Sequence, residues 1–297
     1  MELPVAVVSG GVRGPTVWIN ASLHGDEYLG PAAIARLLSS LDPREMSGNV
    51  ILTPVVNAAA FRGMRRTHPD YDVDLNRVWG GALIPEPLAQ LRDHLKAKIL
   101  ERSDIVLDLH SGGNRYLQGA FAVYSRVSGD VERISSGIAK ACGFPFLWAE
   151  QGSMLEGALI RAAARMGKPA ILLEFGGEGR AEEHWVGRMV SGLRGALAQA
   201  GVLEDDPKFL EEYRVVQGLE VVRNEAEGLW ERRVDPHDDV DPGGVLGCVL
   251  GPFGEELERI RSPVGGVVLG IYTYGFVPQR ELIAEVGYDI RAEPAPS

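Results

Sequence analysis

An α/β layer fold followed by a smaller all-β unit is the fold class the sequence predicts, on three observations. As far as Gly201, short apolar runs rich in β-branched residues alternate with longer stretches of helical period. From Val202 to Gly218 the chain changes character, beginning with Glu204-Asp205-Asp206-Pro207. Beyond it, pairs such as Asp235-Pro236, Asp241-Pro242, Gly243-Gly244 and Gly265-Gly266 break the chain every few residues, as turns between short strands do. The expected organisation is a first domain over residues 1–205, a connector over 206–217 and a β domain over 218–297.

Strands are expected at Val5–Val8, Thr16–Asn20, Val50–Pro54, Ile105–His110, Phe121–Tyr124 and Ala170–Phe175, short runs that mostly end at polar or turn residues. Helices fill the gaps. Gly30–Ser39 carries Ile34, Leu37 and Leu38, and Pro87–Leu100 repeats Leu88, Leu91, Leu95 and Ile99; Val131–Ala141, Met154–Met166 and Glu182–Ala200 follow similar periods. Asn57 to Trp79 has no regular period and is polar and arginine-rich, and irregular segments of that length inside a compact domain are usually functional. In the last part, Gly228-Leu229-Trp230 with Val240–Val249 runs parallel to Gly266-Val267-Val268 with Val277–Val286, which suggests a pseudo-symmetric β sandwich.

The 297 residues are 45% hydrophobic, enough for a large core, and carry a net charge of −11. That sign argues against nucleic acid and anionic membrane surfaces as partners. No apolar run approaches the roughly 20 residues that span a bilayer, and the start lacks the basic and apolar regions of a signal peptide, so a cytoplasmic protein is expected. Cys142 and Cys248 lie far apart with no C-x-x-C pair, which excludes a disulfide framework and a cysteine metal site.

The strongest local feature is Leu23-His24-Gly25-Asp26-Glu27, between an expected strand and helix. Taken alone, H-x-x-E is weak and reads better as a satisfied surface turn. The strand Ile105–Leu109 delivers His110 at its end, where a histidine can also simply cap a strand. Together, two histidines and one carboxylate with no fourth protein ligand make the donor set of a catalytic zinc that keeps one position for water. The H-E-x-x-H helix is absent. Glu174 follows four apolar residues of another strand, and ligands collect at the carboxyl ends of strands in open α/β sheets, where His24, His110 and Glu174 would all fall. A carboxylate there can take a proton from water and deliver it to a leaving amine, or merely pair with Arg180. The irregular segment supplies Arg62, Arg65 and Arg66 and closes on Asn76-Arg77, a pair suited to gripping a carboxylate.

His24-Gly25-Asp26-Glu27, Asp74-Leu75-Asn76-Arg77, Asp108-Leu109-His110 and Glu174 occur in the order typical of one family. From about Val5 to Gly201 the chain resembles the succinylglutamate desuccinylase/aspartoacylase family of the zinc carboxypeptidase clan. The resemblance implies a mixed sheet flanked by helices and a zinc amidohydrolase with one Zn2+ per chain. His24, Glu27 and His110 would bind the metal and Glu174 would activate the water. Arg66 would polarise the scissile carbonyl, Asn76 and Arg77 would hold the substrate carboxylate, and Asp74 would orient His24 from behind. The chain departs from the family in reading Asn57-Ala58 where Asn-Pro is usual, and in a longer link from Arg66 to Asp74, which makes Arg65 the alternative to Arg66. An arginine for an acidic substrate side chain has no clear match, Arg165 being the nearest in sequence. The closer likeness is to deacylases of the ectoine-pathway type.

From Gly218 onward the two halves resemble the barrel-sandwich fold of biotinyl and lipoyl domains. No lysine occurs after Lys208, and the corresponding hairpin near Gly251-Pro252-Phe253-Gly254-Glu255 offers no amine, so no carried cofactor is expected. In related deacylases such a domain narrows the way to the zinc, and Tyr272 or Tyr274 would be the residue to reach the cleft. His68 adjoins the arginine loop, whereas His94, His184 and His237 read as solvated, and Ser22 and Ser111 belong to no Ser-His-acid pattern. The expected function is zinc-dependent hydrolysis of the amide bond of an N-acyl amino acid or related small carboxylate. The alternatives are a carboxypeptidase acting on peptides and a catalytically silent metal-binding relative. The expected partner is the small substrate alone, with homo-oligomerisation left open.

Overall fold

The computed structural model describes residues 3–296. The chain runs β1 (Ala6–Ser9), β2 (Val12–Ala21), α1 (Leu29–Ser40), β3 (Ser47–Thr53), α2 (Ala58–Arg62), α3 (Glu86–Lys98), β4 (Ile105–His110), β5 (Tyr116–Ser125), α4 (Gly129–Ala141), β6 (Phe146–Glu150), α5 (Leu159–Arg165), β7 (Ala170–Gly177) and α6 (Glu183–Gln199). It continues with β8 (Glu212–Arg223), β9 (Gly228–Arg232), β10 (Asp239–Val240), β11 (Val245–Leu250), β12 (Glu256–Arg261), β13 (Gly266–Tyr272), β14 (Phe276–Val277) and β15 (Leu282–Pro294). The first strands assemble in the order β1-β3-β2-β4-β7-β5-β6. β3, β2, β4 and β7 run parallel, and β5 is antiparallel to β7.

Alternation along β2 sorts its side chains between two cores. Val17, Ile19 and Ala21 pack with Leu29, Ile34, Leu37, Leu193 and Leu197 from α1 and α6, while Trp18 faces Leu88 and Leu95 of α3 and Leu159 and Ile160 of α5. β4 is buried along its whole length, as expected of a parallel strand covered on both sides by helices.

Strand pairing does not stop at the expected connector. β8 begins at Glu212 and pairs with β6 through Phe146↔Arg214 to Trp148↔Val216. β8 then pairs with β15, β15 with β13, and β13 returns to β5 through Gly270↔Gln118, Ile271↔Leu117 and Tyr272↔Tyr116. The pairings β5-β6-β8-β15-β13-β5 therefore close on themselves, tying the C-terminal strands to the main sheet. A separate four-stranded sheet, β12-β11-β9-β14, covers a third core around Trp230, Leu246 and Ile260.

Two local expectations give way to particular residues. The helix expected at Met154–Met166 forms only over Leu159–Arg165. Gly157 adopts φ +78°, and a Cβ there would stand 2.2 Å from the Arg77 carbonyl oxygen, so the chain must turn at this point to lie on the Asn76-Arg77 segment. The irregular stretch from Asn57 holds a short helix: Asn57 accepts a hydrogen bond from the Ala60 N–H and donates its carboxamide to the Leu23 carbonyl, tying α2 to the turn that carries His24. Cys142 and Cys248 are both free and buried. Among the described residues no helix is long and apolar enough to cross a membrane.

Candidate metal centre

Three adjacent parallel strands aim their C-terminal ends at one place. β2 ends at Ala21, and Ser22, in the left-handed region at φ 53°, turns the chain so that His24 and Glu27 lie over the sheet edge. Gly25 makes the turn fit: a Cβ there would meet the Ala60 backbone at 2.0 Å. β4 contributes His110 and β7 contributes Glu174, directly opposite each other in register.

His24, Glu27 and His110 are each about 97% buried and are brought together. His24 Nδ1 lies 2.7 Å from Glu27 Oε1, His110 Nδ1 lies 2.8 Å from Glu27 Oε2, and the two Nδ1 atoms face each other at 3.2 Å. A tetrahedral ion with metal–nitrogen bonds of about 2.0–2.1 Å separates neighbouring donor atoms by about 3.3 Å, so this spacing fits a metal. Both outer ring nitrogens have carboxylate partners, Asp74 Oδ1 at 3.0 Å from His24 Nε2 and Asp108 Oδ2 at 3.1 Å from His110 Nε2. A proton on His24 Nε2 satisfies Asp74 and leaves the Nδ1 lone pair turned toward the shared centre, while Asp108 faces His110 at ion-pair distance without a hydrogen bond.

The electrostatics agree. Burial opposes ionisation of Glu27, yet His24 and His110 hold its carboxyl well below the ordinary range. Asp74, likewise penalised by burial, is held down by His24, Arg66 and Arg77. Burial would discharge His110, but Asp108 and Glu27 raise it well above its ordinary value. The surrounding carboxylates favour positive charge at this centre. Glu174 moves the other way, its carboxyl raised well above the ordinary range by burial and by Glu27.

Asp108 stands at the head of a buried row that sequence reasoning did not single out for a role. It is level with Asn20 on β2, which is level with Thr53 on β3. Asn20 Nδ2 donates to Asp108 Oδ1 at 2.8 Å, Thr53 Oγ1 donates to Asn20 Oδ1 at 3.0 Å, and Trp18 Nε1 donates to Thr53 Oγ1 at 2.8 Å. The signal was present, since residues two apart on a strand share a face and Asp108 precedes His110 by two.

A cavity of about 410 Å³ opens on this centre, lined by Arg66, Asn76, Arg77 and Glu174 on the metal side. Arg66 Nη2 donates to Asp74 Oδ2 at 3.1 Å and Nη1 lies 3.6 Å from Glu27, whereas Arg65 points to Asp72 and is not among the lining residues. Asn76 is committed inward: its Oδ1 accepts from the Leu159 N–H and its Nδ2 lies 3.1 Å from His110 Nε2. Arg77 reaches back to the Asn76 carbonyl, and Arg165 is exposed and bound to Glu156 through two contacts, away from the cavity. The opposite wall is C-terminal: Leu219, Val221 and Arg223 from β8, Glu281 just before β15, and Leu282 and Glu285 on it. Neither Tyr272 nor Tyr274 lines it; the buried Tyr272 donates its hydroxyl to the Phe276 carbonyl, and Tyr274 is exposed. His68 is buried but lines a different depression, beside Leu88 and His94.

Residues 13–200 match the succinylglutamate desuccinylase/aspartoacylase catalytic domain. The N-alpha-acetyl-L-2,4-diaminobutyric acid deacetylase of Halomonas elongata is 31% identical over 253 residues, 83% of this chain and 73% of that protein. Among solved structures, a product-bound ectoine utilization protein from Ruegeria pomeroyi matches with a TM-score of 0.87 at 26% identity, covering 96% of this chain and 88% of that one. A succinylglutamate desuccinylase from Silicibacter sp. TM1040 matches with a TM-score of 0.86 at 25% identity, covering the same shares of the two chains.

Proposed function

The chain belongs to the succinylglutamate desuccinylase/aspartoacylase family, and from that premise we propose that it is a zinc-dependent deacylase of small N-acyl amino acids. The observation that carries the reading is the convergence of His24 Nδ1, Glu27 and His110 Nδ1 beside a buried carboxyl, Glu174, in a walled cavity. His24, Glu27 and His110 hold the metal, with Asp74 and Asp108 fixing the two imidazoles. A bound zinc supplies Lewis acidity and lowers the pKa of water to about 7. Glu174, whose raised proton affinity suits the role, would take a proton from the water whose oxygen bonds to the acyl carbon and hand it to the amine nitrogen as the carbon–nitrogen bond breaks. Arg66, half exposed, donates to the carbonyl oxygen as negative charge grows on it. Arg77 grips the α-carboxylate; Asn76, whose Oδ1 accepts from the Leu159 N–H, sets the Leu159 backbone beside that grip.

The C-terminal wall favours small substrates over peptides, because Leu219, Val221 and Leu282 close the side opposite the metal. The deciding experiment sets N-acetyl, N-succinyl and N-formyl amino acids beside short peptides against the zinc-loaded protein. Turnover of acyl amino acids at a kcat/KM at least tenfold above that of peptides is expected, and the reverse order makes it a carboxypeptidase. His110→Ala, assayed alongside, should lose both metal stoichiometry by elemental analysis and turnover; full retention of both would remove the assigned centre.

A further inference from the structure

The loop from Arg65 to Asp74 carries two residues of the metal side, and its own hydrogen bonds run through a third that touches neither metal ligands nor cavity. Both ends of the loop are sewn to the turn that bears His24. The Gly25 N–H donates to the Arg66 carbonyl at 3.4 Å, and Asp74 Oδ1 lies 3.0 Å from His24 Nε2. The two side chains also meet, Arg66 Nη2 donating to Asp74 Oδ2 at 3.1 Å. Thr67 to Val73 must therefore fold into a turn tight enough to keep that pair together.

His68 folds it. Its N–H donates to the Val73 carbonyl at 3.0 Å, and its own carbonyl accepts from the Asp72 N–H at 2.8 Å and from the Tyr71 N–H at 3.3 Å. Its ring Nδ1 accepts from the Asp70 N–H at 3.3 Å. That last bond is of the Asx-turn kind, with the acceptor two residues before the donor and Pro69 presetting the backbone between them. From Arg62 to Asp72, His68 is the one buried residue, at 5% exposure. Its ring centroid lies 5.0 Å from that of Tyr71, and the ring lines the depression it shares with Asn57, Leu88 and Leu91. A polar loop with no other buried side chain has little to offset the entropy of ordering it, so its order depends on this residue.

We propose that His68 is a positioning residue: its Nδ1 acceptor sets the turn so that Arg66 meets the reacting carbonyl and Asp74 meets His24. The inference rests on the deacylase reading for what Arg66 does and adds how it is held there. An imidazole suits the place, because one ring nitrogen closes the turn while the body of the ring fills the depression; the tautomer that accepts at Nδ1 carries its proton on Nε2.

The test separates the acceptor from the ring. His68→Phe keeps a ring and removes the acceptor, whereas His68→Asn removes the ring and keeps an oxygen where Nδ1 stood, and asparagine closes Asx turns of its own. The zinc-loaded full chain is assayed on the most active of the N-acetyl amino acids. His68→Phe should lower kcat about tenfold, the worth of one hydrogen bond, with KM changed less than about threefold because Arg77 still grips the carboxylate. His68→Asn should stay within about threefold of the wild type in both. In an Arg66→Ala background, His68→Phe should cost nothing further in kcat, since the residue it positions is gone. Equal losses in His68→Phe and His68→Asn, or the same loss from His68→Phe with and without Arg66, would make His68 a packing residue and overturn the proposal. Zinc affinity measured by chelator competition reads the Asp74 end without turnover. A loss of about threefold or more in His68→Phe that vanishes in an Asp74→Ala background supports the proposal, and unchanged affinity overturns it. No hydrolysis of any N-acyl amino acid, with this effect on zinc affinity intact, overturns the deacylase reading instead.

Discussion

The two sides of the cavity rest on two rows of residues with opposite character. Behind the His24, Glu27 and His110 side, Thr53, Asn20 and Asp108 lie level across β3, β2 and β4, linked from Trp18 to Asp108 by hydrogen bonds at 2.8–3.0 Å, with Asp108 Oδ2 at 3.1 Å from His110 Nε2. In the far wall, Gln118, Gly270 and Glu285 lie level across β5, β13 and β15, joined by one hydrogen bond and leaving Gln118 Oε1 without a donor. A chain of consecutive buried hydrogen bonds fixes the direction of the carboxylate that faces His110, as an imidazole presented to a metal would need. The far row, with one such bond, leaves Gln118 and Glu285 less tightly directed. The difference lies in how many hydrogen bonds stand behind each charged group: a chain of three behind Asp108 and one behind Glu285.

The largest expected effect breaks the reaction side. Glu174→Gln should keep stoichiometric metal and lower kcat by about 10²–10⁴, since only proton transfer is lost. Arg77→Ala should chiefly raise KM, its partner being a substrate group present before and after the transition state. If both changes acted on kcat alone, the division between chemistry and grip would fall.

The two rows are separated by a smaller pair of changes. Asp108→Asn removes the charge that orients His110, and metal affinity measured by chelator competition should fall about 10–100-fold, the usual loss for an outer partner of a ligating histidine. Gly270→Ala should leave metal affinity alone and raise KM about three- to tenfold, because Gln118 is a flexible side chain that can yield to the new Cβ but then loses Glu285. Loss of metal in Gly270→Ala would mean that the rows are not independent.

The gathering of His24, Glu27, His110 and Glu174 was legible in the sequence, and the reason is local. His24 and Glu27 share one turn, His110 and Glu174 close strands whose apolar runs stand out, and their meeting follows from parallel strands ending at one edge. Asp74 lies 3.0 Å from His24 as the family resemblance implied, and Arg66 rather than Arg65 lines the cavity. The far wall was not legible. Glu285 sits in no motif, and its place depends on β13 closing back onto β5 over more than a hundred residues, a register no local pattern encodes. The same closure made a connector ending at 217 and Tyr272 or Tyr274 at the cleft reasonable from sequence, although β8 begins at Glu212 and both tyrosines face elsewhere. The helix expected from Met154 was shortened by Gly157, whose contact with Arg77 is equally long-range.

The smallest expected effect concerns the seam between the two regions. His237, from the loop between β9 and β10, lies with its ring centroid 4.4 Å from that of Phe146 on β6, and its Nε2 occupies the space left by Gly119, the residue after Gln118. Burial, with Arg188 and Arg214 nearby, pushes the imidazole down from 6.5 to about 4. Between those values the unfolded chain binds a proton that the folded chain refuses. The contribution is therefore complete above about pH 6.5 and is lost as pH falls toward 4. Allowing for the ring's partial contact with solvent, the loss should be about 1–2 kcal/mol. His237 has φ +77°, so His237→Asn is the suitable change: asparagine tolerates that conformation and does not titrate. Urea midpoints of metal-free wild type and variant at pH 7 and pH 4.5 would measure it, with metal omitted so that ligand protonation enters both proteins alike. The wild type should lose more stability than the variant over this interval. Equal losses would show that His237 does not couple the seam to pH, leaving the contact of its ring with Phe146 as a packing contribution at every pH.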